Sequence, residues 1–368
     1  MRHAAPRARL GGPASLPEHP RAKVSAPRRG ATGITSPRAP RAPALPPDRP
    51  LRIVSLLPAA TEIVCALGAE AELVGISHEC DYPPSLAGRP VLTASRVGHP
   101  ADRGGQIDYD VRDVLKRALT IYTIDEAALA AARPDVIITQ DLCAVCAVSL
   151  DDVIDVTRQL TNPEVRIVSL QPTMLSDVWA DIRRVAAAIG RERESVALLA
   201  HLDERVEDVR RRCKRWLSRS ASPAPRVLTL EWIDPPMVGG TWMPELVTIA
   251  GGQPLVTHPG EKSPAMTADE LARLDPTPEI VLVKPCGFTM PRIVKDADWL
   301  SGLLAEMPWP AVRERRVFIA DGNAYFNRPG PRLVESLEIL AACIHPNAFA
   351  DLAQRHAAGF RRFGVRHR

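Results

Sequence analysis

Short runs of unbroken β-branched and aliphatic residues, each followed by a stretch of helical composition, recur along this chain and leave few folds open to it. Leu51–Leu56 reads as the first strand, followed by Pro58 and a helix that stops at Gly68. Glu72–Ile76 reads as the second strand. A helix over Asp125–Ala132 stops before Pro134, and Asp135–Thr139 and Val165–Leu170 read as further strands. Strands apolar on both faces and alternating with helices predict a parallel sheet covered on both sides.

The same order restarts at Arg226–Leu230. A loop with Pro235 and Pro236 follows, then helices over Pro244–Ala250 and Ala268–Leu274, and strands at Glu279–Val283 and Arg316–Ala320. A helix over Pro331–Ile344 closes the series. The element-by-element match reads as an internal duplication. Between the halves, Met174–Ile189 and a run over Glu192–Leu217 free of Pro and Gly predict two helices, the second about 39 Å long. Its Arg205, Glu207, Asp208, Arg210, Arg211 and Arg212 read as a solvated face. The expected fold is therefore α/β: two Rossmann-like lobes with mainly parallel sheets, joined by one long helix. The expected boundaries are an N-terminal lobe at 51–172, a helical connector at 173–225, a C-terminal lobe at 226–355 and a basic tail at 356–368.

Composition narrows the function. The first 50 residues hold ten Lys/Arg, two acids and 11 prolines, so they carry +8 and the rest of the chain −4. That segment has too few large apolar residues to offset its ordering entropy and is expected to be disordered. The folded part is mildly acidic and the chain only 4% aromatic, which argues against nucleic acid as a partner. No run reaches 18 apolar residues, so no membrane span is expected, and no apolar signal-peptide core follows the basic start. Together with seven cysteines, an odd number, this predicts a cytoplasmic location, with a periplasmic or cell-surface one as the alternative should the true start lie elsewhere.

In parallel α/β lobes ligands sit at the carboxyl ends of the strands, so the loops there carry the chemistry. They hold His78, Glu79, Cys80 and Tyr82; Gln140, Asp141, Cys143 and Cys146; Trp232 and Pro235; Cys286 and Phe288; and Asn323, Tyr325 and Arg328. Four thiols, Cys80, Cys143, Cys146 and Cys286, thus fall on loops expected to face one cleft, where they suit zinc or an iron–sulfur cluster; packing thiols are the other reading. Cys65, Cys213 and Cys343 lie within helices and read as packing residues. Trp232, Trp242 and Phe288 read either as covers for a planar ligand or as core. Arg328 and Arg332 beside Asn323 suit an anionic or amide-rich group. No G-x-S-x-G, phosphate loop or H-E-x-x-H occurs, so no catalytic residue is assigned and an enzyme is not expected.

Arg52–Glu62, Val74–Ser77 with Asp81–Pro84, Arg133–Ile138, Asp234–Pro236, Gly251-Gly252 and Pro329–Arg332 together resemble the cobalamin-binding proteins of ABC importers, within the iron-chelate class of solute-binding proteins. The resemblance spans roughly residues 51–350. It implies a corrinoid or other metal chelate held between two lobes, with cobalamin as ligand and an ABC permease as partner. By position it implies that the strand-end loops named above face the ligand and that Glu126 and Glu270, one per lobe, dock the permease. A cytosolic metalloprotein of the same fold, binding zinc or an iron–sulfur cluster through the four cleft cysteines, is the alternative.

Overall fold

The computed structural model describes residues 49–95, 122–140, 165–220 and 223–365, all within one compact unit. The N-terminal lobe is built on strands β1 (Ile53–Ser55), β2 (Leu73–Ile76), β5 (Val136–Gln140) and β6 (Arg166–Leu170). They form an all-parallel sheet in the order β2-β1-β5-β6. Helix α1 (Pro58–Ala66) follows β1, and a small antiparallel pair, β3 (Thr93–Ser95) and β4 (Tyr122–Ile124), lies beyond β2. Helix α2 (Glu126–Ala132) leads into β5. Asp125 caps it by accepting from the Ala128 N–H, which satisfies one of the donors a helix start leaves open.

Helices α3 (Leu175–Ile189) and α4 (Glu192–Ser220) connect the lobes. The second lobe carries β7 (Arg226–Ile233), β8 (Pro236–Val238), α5 (Met243–Ile249), β9 (Gln253–Pro254) and α6 (Ala268–Ala272). Strand β10 (Ile280–Val283) and helices α7 (Met290–Lys295), α8 (Ala297–Ala305) and α9 (Pro310–Arg313) follow. Strand β11 (Val317–Ala320), α10 (Leu333–Ile344), α11 (Ala350–Arg355) and β12 (Phe360–Arg362) complete it.

The duplication is visible in the pairing. The parallel strands of this lobe run β9-β7-β10-β11, which repeats β2-β1-β5-β6 element for element. Two antiparallel strands, β8 against β7 and β12 against β11, are additions. Residues 360–362 fall in the stretch read from the sequence only as a basic tail. They pair instead because the flanking apolar residues are anchored: Phe363 and Val365 pack on this lobe's core and the Phe363 N–H donates to the Val317 carbonyl.

Alternation along the strands explains the layers. Ile280 and Leu282 face one cluster and Val281 and Val283 the other; Ile53 and Val54 divide in the same way. One cluster fills the outer face of each lobe. A third runs through both, from Ala59 and Ile63 of α1 across Leu199, Leu202, Val206 and Val209 of α4 to Leu333 and Leu337 of α10. The buried positions of α4 recur every three or four residues, as one helix face requires. Its charged side is less solvated than the pattern predicts. Arg205 forms a two-pronged ion pair with buried Glu338, both bonds 2.9 Å, and Arg212 pairs with Asp351, so the connecting helix is tied to α10 and α11. No helix among the described residues is long and apolar enough to cross a membrane.

Candidate functional site

Loops at the carboxyl ends of the two sheets meet. The loop after β11 brings Arg328 against the N-terminal lobe, where its guanidinium donates to Asp81 at 2.6 Å, to Glu62 at 3.2 Å and to the Glu79 carbonyl at 3.4 Å. Asn323 accepts from Arg328 at 3.0 Å and donates to the other Asp81 oxygen at 2.6 Å. Arg332 lies 3.8 Å from Glu62 and stacks over the rings of Tyr82 (4.0 Å) and Tyr325 (4.7 Å). Gly330 makes a close approach here: a Cβ would lie 3.3 Å from the Ala59 carbonyl oxygen at the start of α1, a tight contact.

Burial sets the electrostatics of this seam. Glu62 is buried and its second carboxylate oxygen has no hydrogen-bond partner. Desolvation pushes its pKa up from 4.5 to about 7, and Arg328 and Arg332 offset only part of that cost. For Asp81 the balance reverses: burial works against the charge, but Arg328 and Asn323 hold the carboxyl below its ordinary range. Burial also opposes the Arg328 charge, and Asp81 and Glu62 more than offset it, raising its pKa.

The second lobe fixes its strand ends with a buried lysine. Lys284, directly after β10, donates to Glu231 near the end of β7 (3.0 Å) and to Asn327 in the loop after β11 (2.9 Å). Asn327 returns hydrogen bonds to the Lys284 and Gly322 carbonyls. The three loops are thereby locked to one another. Gly322 approaches so closely that a Cβ would fall 1.9 Å from the Pro285 carbonyl oxygen.

Of the residues expected at the site, Glu79, Asn323 and Arg328 lie in the seam itself, as does the backbone around Cys80. Tyr82 and Tyr325 flank it through Arg332. Trp232 is half-buried, 5.2 Å from the Phe288 ring, and its indole donates to the Asp234 carbonyl beside half-exposed Pro235. Phe288 itself is buried in the core of its lobe, with Arg292 over its ring. Trp242 is core too, donating to the Phe326 carbonyl. Gln140 is buried at the end of β5.

His78 is half-buried beside Tyr122, with ring centroids 5.2 Å apart. Its Nδ1 is 2.7 Å from Thr93 Oγ1, and burial lowers its pKa despite the Glu79 charge nearby. Asp141, Cys143 and Cys146 lie outside the described residues. Cys286 is exposed, whereas the Cys80 sulfur sits 3.0 Å from Thr61 Oγ1 and burial pushes its thiol up to about 11, so at neutral pH it is a thiol and not a thiolate. Among the described residues no group of three or more His, Cys, Asp and Glu side chains is arranged to hold a metal ion. Cys213 and Cys343 are buried and Cys65 is half-buried, as packing residues should be. Glu126 and Glu270 are both exposed, each in the first turn of the helix preceding a lobe's buried strand; Glu270 closes a capping box with Thr267.

Residue types alone did not reveal Glu62 or Lys284. The signal is position: Lys284 directly follows the apolar run of β10 and Glu62 sits within the apolar helix α1, where only a partner from another segment can compensate the charge.

The pattern of the periplasmic binding protein family matches residues 53–324. The chain belongs to that family. It thus stands among the solute-binding proteins that form the substrate-binding components of ABC importers. An ABC transporter substrate-binding lipoprotein of Bacillus subtilis (strain 168), YvrC, is 22% identical over 310 residues, covering 82% of each chain. Among solved structures, a periplasmic heme-binding protein from Pseudomonas aeruginosa superposes with a TM-score of 0.58 at 22% identity, over 81% of this chain and 94% of its own. The vitamin B12-binding protein BtuF of Vibrio cholerae gives 0.57 at 19% identity, over 80% and 96%. These likenesses establish the fold. They also overturn the expected cytoplasmic location: the family and these relatives are periplasmic or lipoproteins, pointing outside the cytoplasm. That expectation rested on the missing apolar leader near residue 1, and a leader's absence from a given start is no measure of where the folded part works.

Proposed function

We propose that this protein is the substrate-binding component of an ABC importer for a corrinoid, cobalamin being the ligand to test first, held between the two lobes without chemical conversion. The observation that carries the reading is the mixture of acceptors and donors along the seam: the Glu79 carbonyl, the Asp81 carboxylate, the Asn323 amide and the Arg328 guanidinium lie side by side. A corrinoid bears primary amides, each both donor and acceptor, and such groups suit a rim of this kind better than ligand carboxylates facing Glu62, Glu79 and Asp81. The rings of Tyr82 and Tyr325, which flank the rim through Arg332, are the proposed apolar cover for a large macrocycle, with half-buried Trp232 on the C-terminal lobe as a further candidate. The named ligands of the structural relatives, vitamin B12 and heme, support the size and class.

Ultrafiltration of the purified protein with hydroxocobalamin, with hemin as comparison, tests this. Stoichiometric retention of the corrinoid is expected; retention of hemin alone would replace the ligand, and retention of neither would refute the reading. Glu126 and Glu270, at corresponding places in the duplicated lobes, are the proposed docking acids for the permease. Replacing both with Ala should leave corrinoid retention intact and abolish uptake in vesicles carrying the permease.

A further inference from the structure

The loop that carries Asp81 and Tyr82 also carries His78, and the hydrogen bonding around that imidazole defines its tautomer. Thr93 Oγ1 donates its only proton to Ser77 Oγ at 3.0 Å. Toward His78 it is therefore an acceptor, receiving the backbone N–H at 3.1 Å and the ring Nδ1 at 2.7 Å. Nδ1 must then carry the ring proton, which leaves Nε2 with a bare lone pair. Nε2 makes no hydrogen bond, and the nearest ionic group is Glu79 Oε1, 3.5 Å away. Two acceptors face one another with no proton between them, an arrangement that an electron-poor centre relieves.

We propose that His78 Nε2 ligates the metal of the bound chelate from the N-terminal lobe, with Thr93 and Ser77 as positioning residues that fix the tautomer. The inference rests on the receptor reading above. An imidazole whose other nitrogen donates to an oxygen is the usual form of a metal-bound histidine, because that bond fixes the ring and raises its basicity. The ring is held from three sides: by its own backbone after β2, by Thr93 on β3, and by the Tyr122 ring on β4. Nε2 has no solvent contact, so the half-exposed Glu79 side chain turns aside when the macrocycle arrives. With hydroxocobalamin the step is a ligand exchange: the bound hydroxide takes a proton from solvent and leaves as water, the nitrogen lone pair forms the bond to cobalt(III), and no electron is transferred. With hemin, Nε2 fills an axial position on ferric iron.

Two measurements test this. In the ligand-free protein, nitrogen NMR of 15N-histidine-labelled chain, with His78 assigned through His78→Gln, should show Nδ1 protonated and Nε2 bare at pH 8. Thr93→Val should release the tautomer to a mixture. A protonated Nε2 in the wild type would overturn the proposal without touching the receptor reading. In the loaded protein, retained hydroxocobalamin should show the absorption bands of its imidazole adduct in the wild type and of the aqua form in His78→Gln. Retained hemin should be imidazole-ligated in the wild type only. Retention with identical bands in both proteins overturns the ligation alone. Retention of neither probe overturns both readings.

Discussion

Replacing Glu62 with Gln should stabilise the protein at pH 8 and do little at pH 5. The reasoning follows from where the carboxyl sits. Its pKa rises from 4.5 to about 7 because desolvation outweighs the two arginines, so the folded state favours the neutral carboxyl. Below pH 4.5 the group is neutral in both folded and unfolded chains, and this favourable contribution is fully present. As pH rises from 4.5 through 7 the unfolded chain releases its proton first, the folded state binds more protons, and stability falls. Above pH 7 the loss is complete. At about 1.4 kcal/mol per pH unit it amounts to roughly 3 kcal/mol. Gln imitates the neutral form at every pH, so the variant's advantage should be about 3 kcal/mol at pH 8 and below about 1 kcal/mol at pH 5. For a chain of this size that is a rise in Tm of about 5 °C at pH 8, read by calorimetry. Equal effects at both pH values, or a variant less stable than the wild type at pH 8, would refute the argument: the ion pairs with Arg328 and Arg332 would then outweigh desolvation.

Three further substitutions probe the same framework. Arg328→Met removes the partner of two acids and leaves Glu62 buried beside Arg332 alone. It should cost about 3–5 kcal/mol at pH 8 by urea denaturation, and less at pH 5, where Glu62 is neutral. Glu338 is the opposite case to Glu62: burial opposes its charge, but His356 and Arg205 depress its pKa from 4.5 to about 2. Its contribution of roughly 3 kcal/mol is present above pH 4.5 and lost as pH falls toward 2, so the penalty of Glu338→Gln at pH 7 should shrink by half or more at pH 3. Gly322→Ala forces a methyl onto the Pro285 carbonyl, which backbone cannot yield cheaply. A loss of about 1–3 kcal/mol or more is expected, seen as a lowered urea midpoint.

The architecture was legible because it depends on period and continuity. Runs such as Ile280–Val283 and Val136, Ile137 and Ile138 are apolar throughout, and only a strand covered on both faces fits them. The recurrence of those runs signalled the duplication, but not the strand order, which also needs the two-residue β9. The short additions were not legible: β12 is two arginines and a phenylalanine, and only its pairing with β11 and the packing of Phe363 make it a strand. At the site, sequence located the loops but not their partners. Asp81, Arg328 and Glu62 are separated by up to 266 positions, and nothing local in any of them announces the others. Phe288 and Trp242 illustrate the reverse: an aromatic in a loop is open or buried according to what the next loop covers, and here both are covered. The four-thiol site depended on assuming that strand-end thiols face one cleft. Burial instead holds Cys80 as a neutral thiol, outweighing the Thr61 contact, which works the other way.

The central claim is that the seam between the lobes receives the ligand. Isothermal titration of hydroxocobalamin into the wild-type protein and into a Tyr82→Ala/Trp232→Ala variant tests it most directly. The account predicts one site per chain in the wild type and at least tenfold weaker binding in a variant that keeps its Tm. No heat of binding in the wild type, or equal affinity in the two proteins, would contradict it.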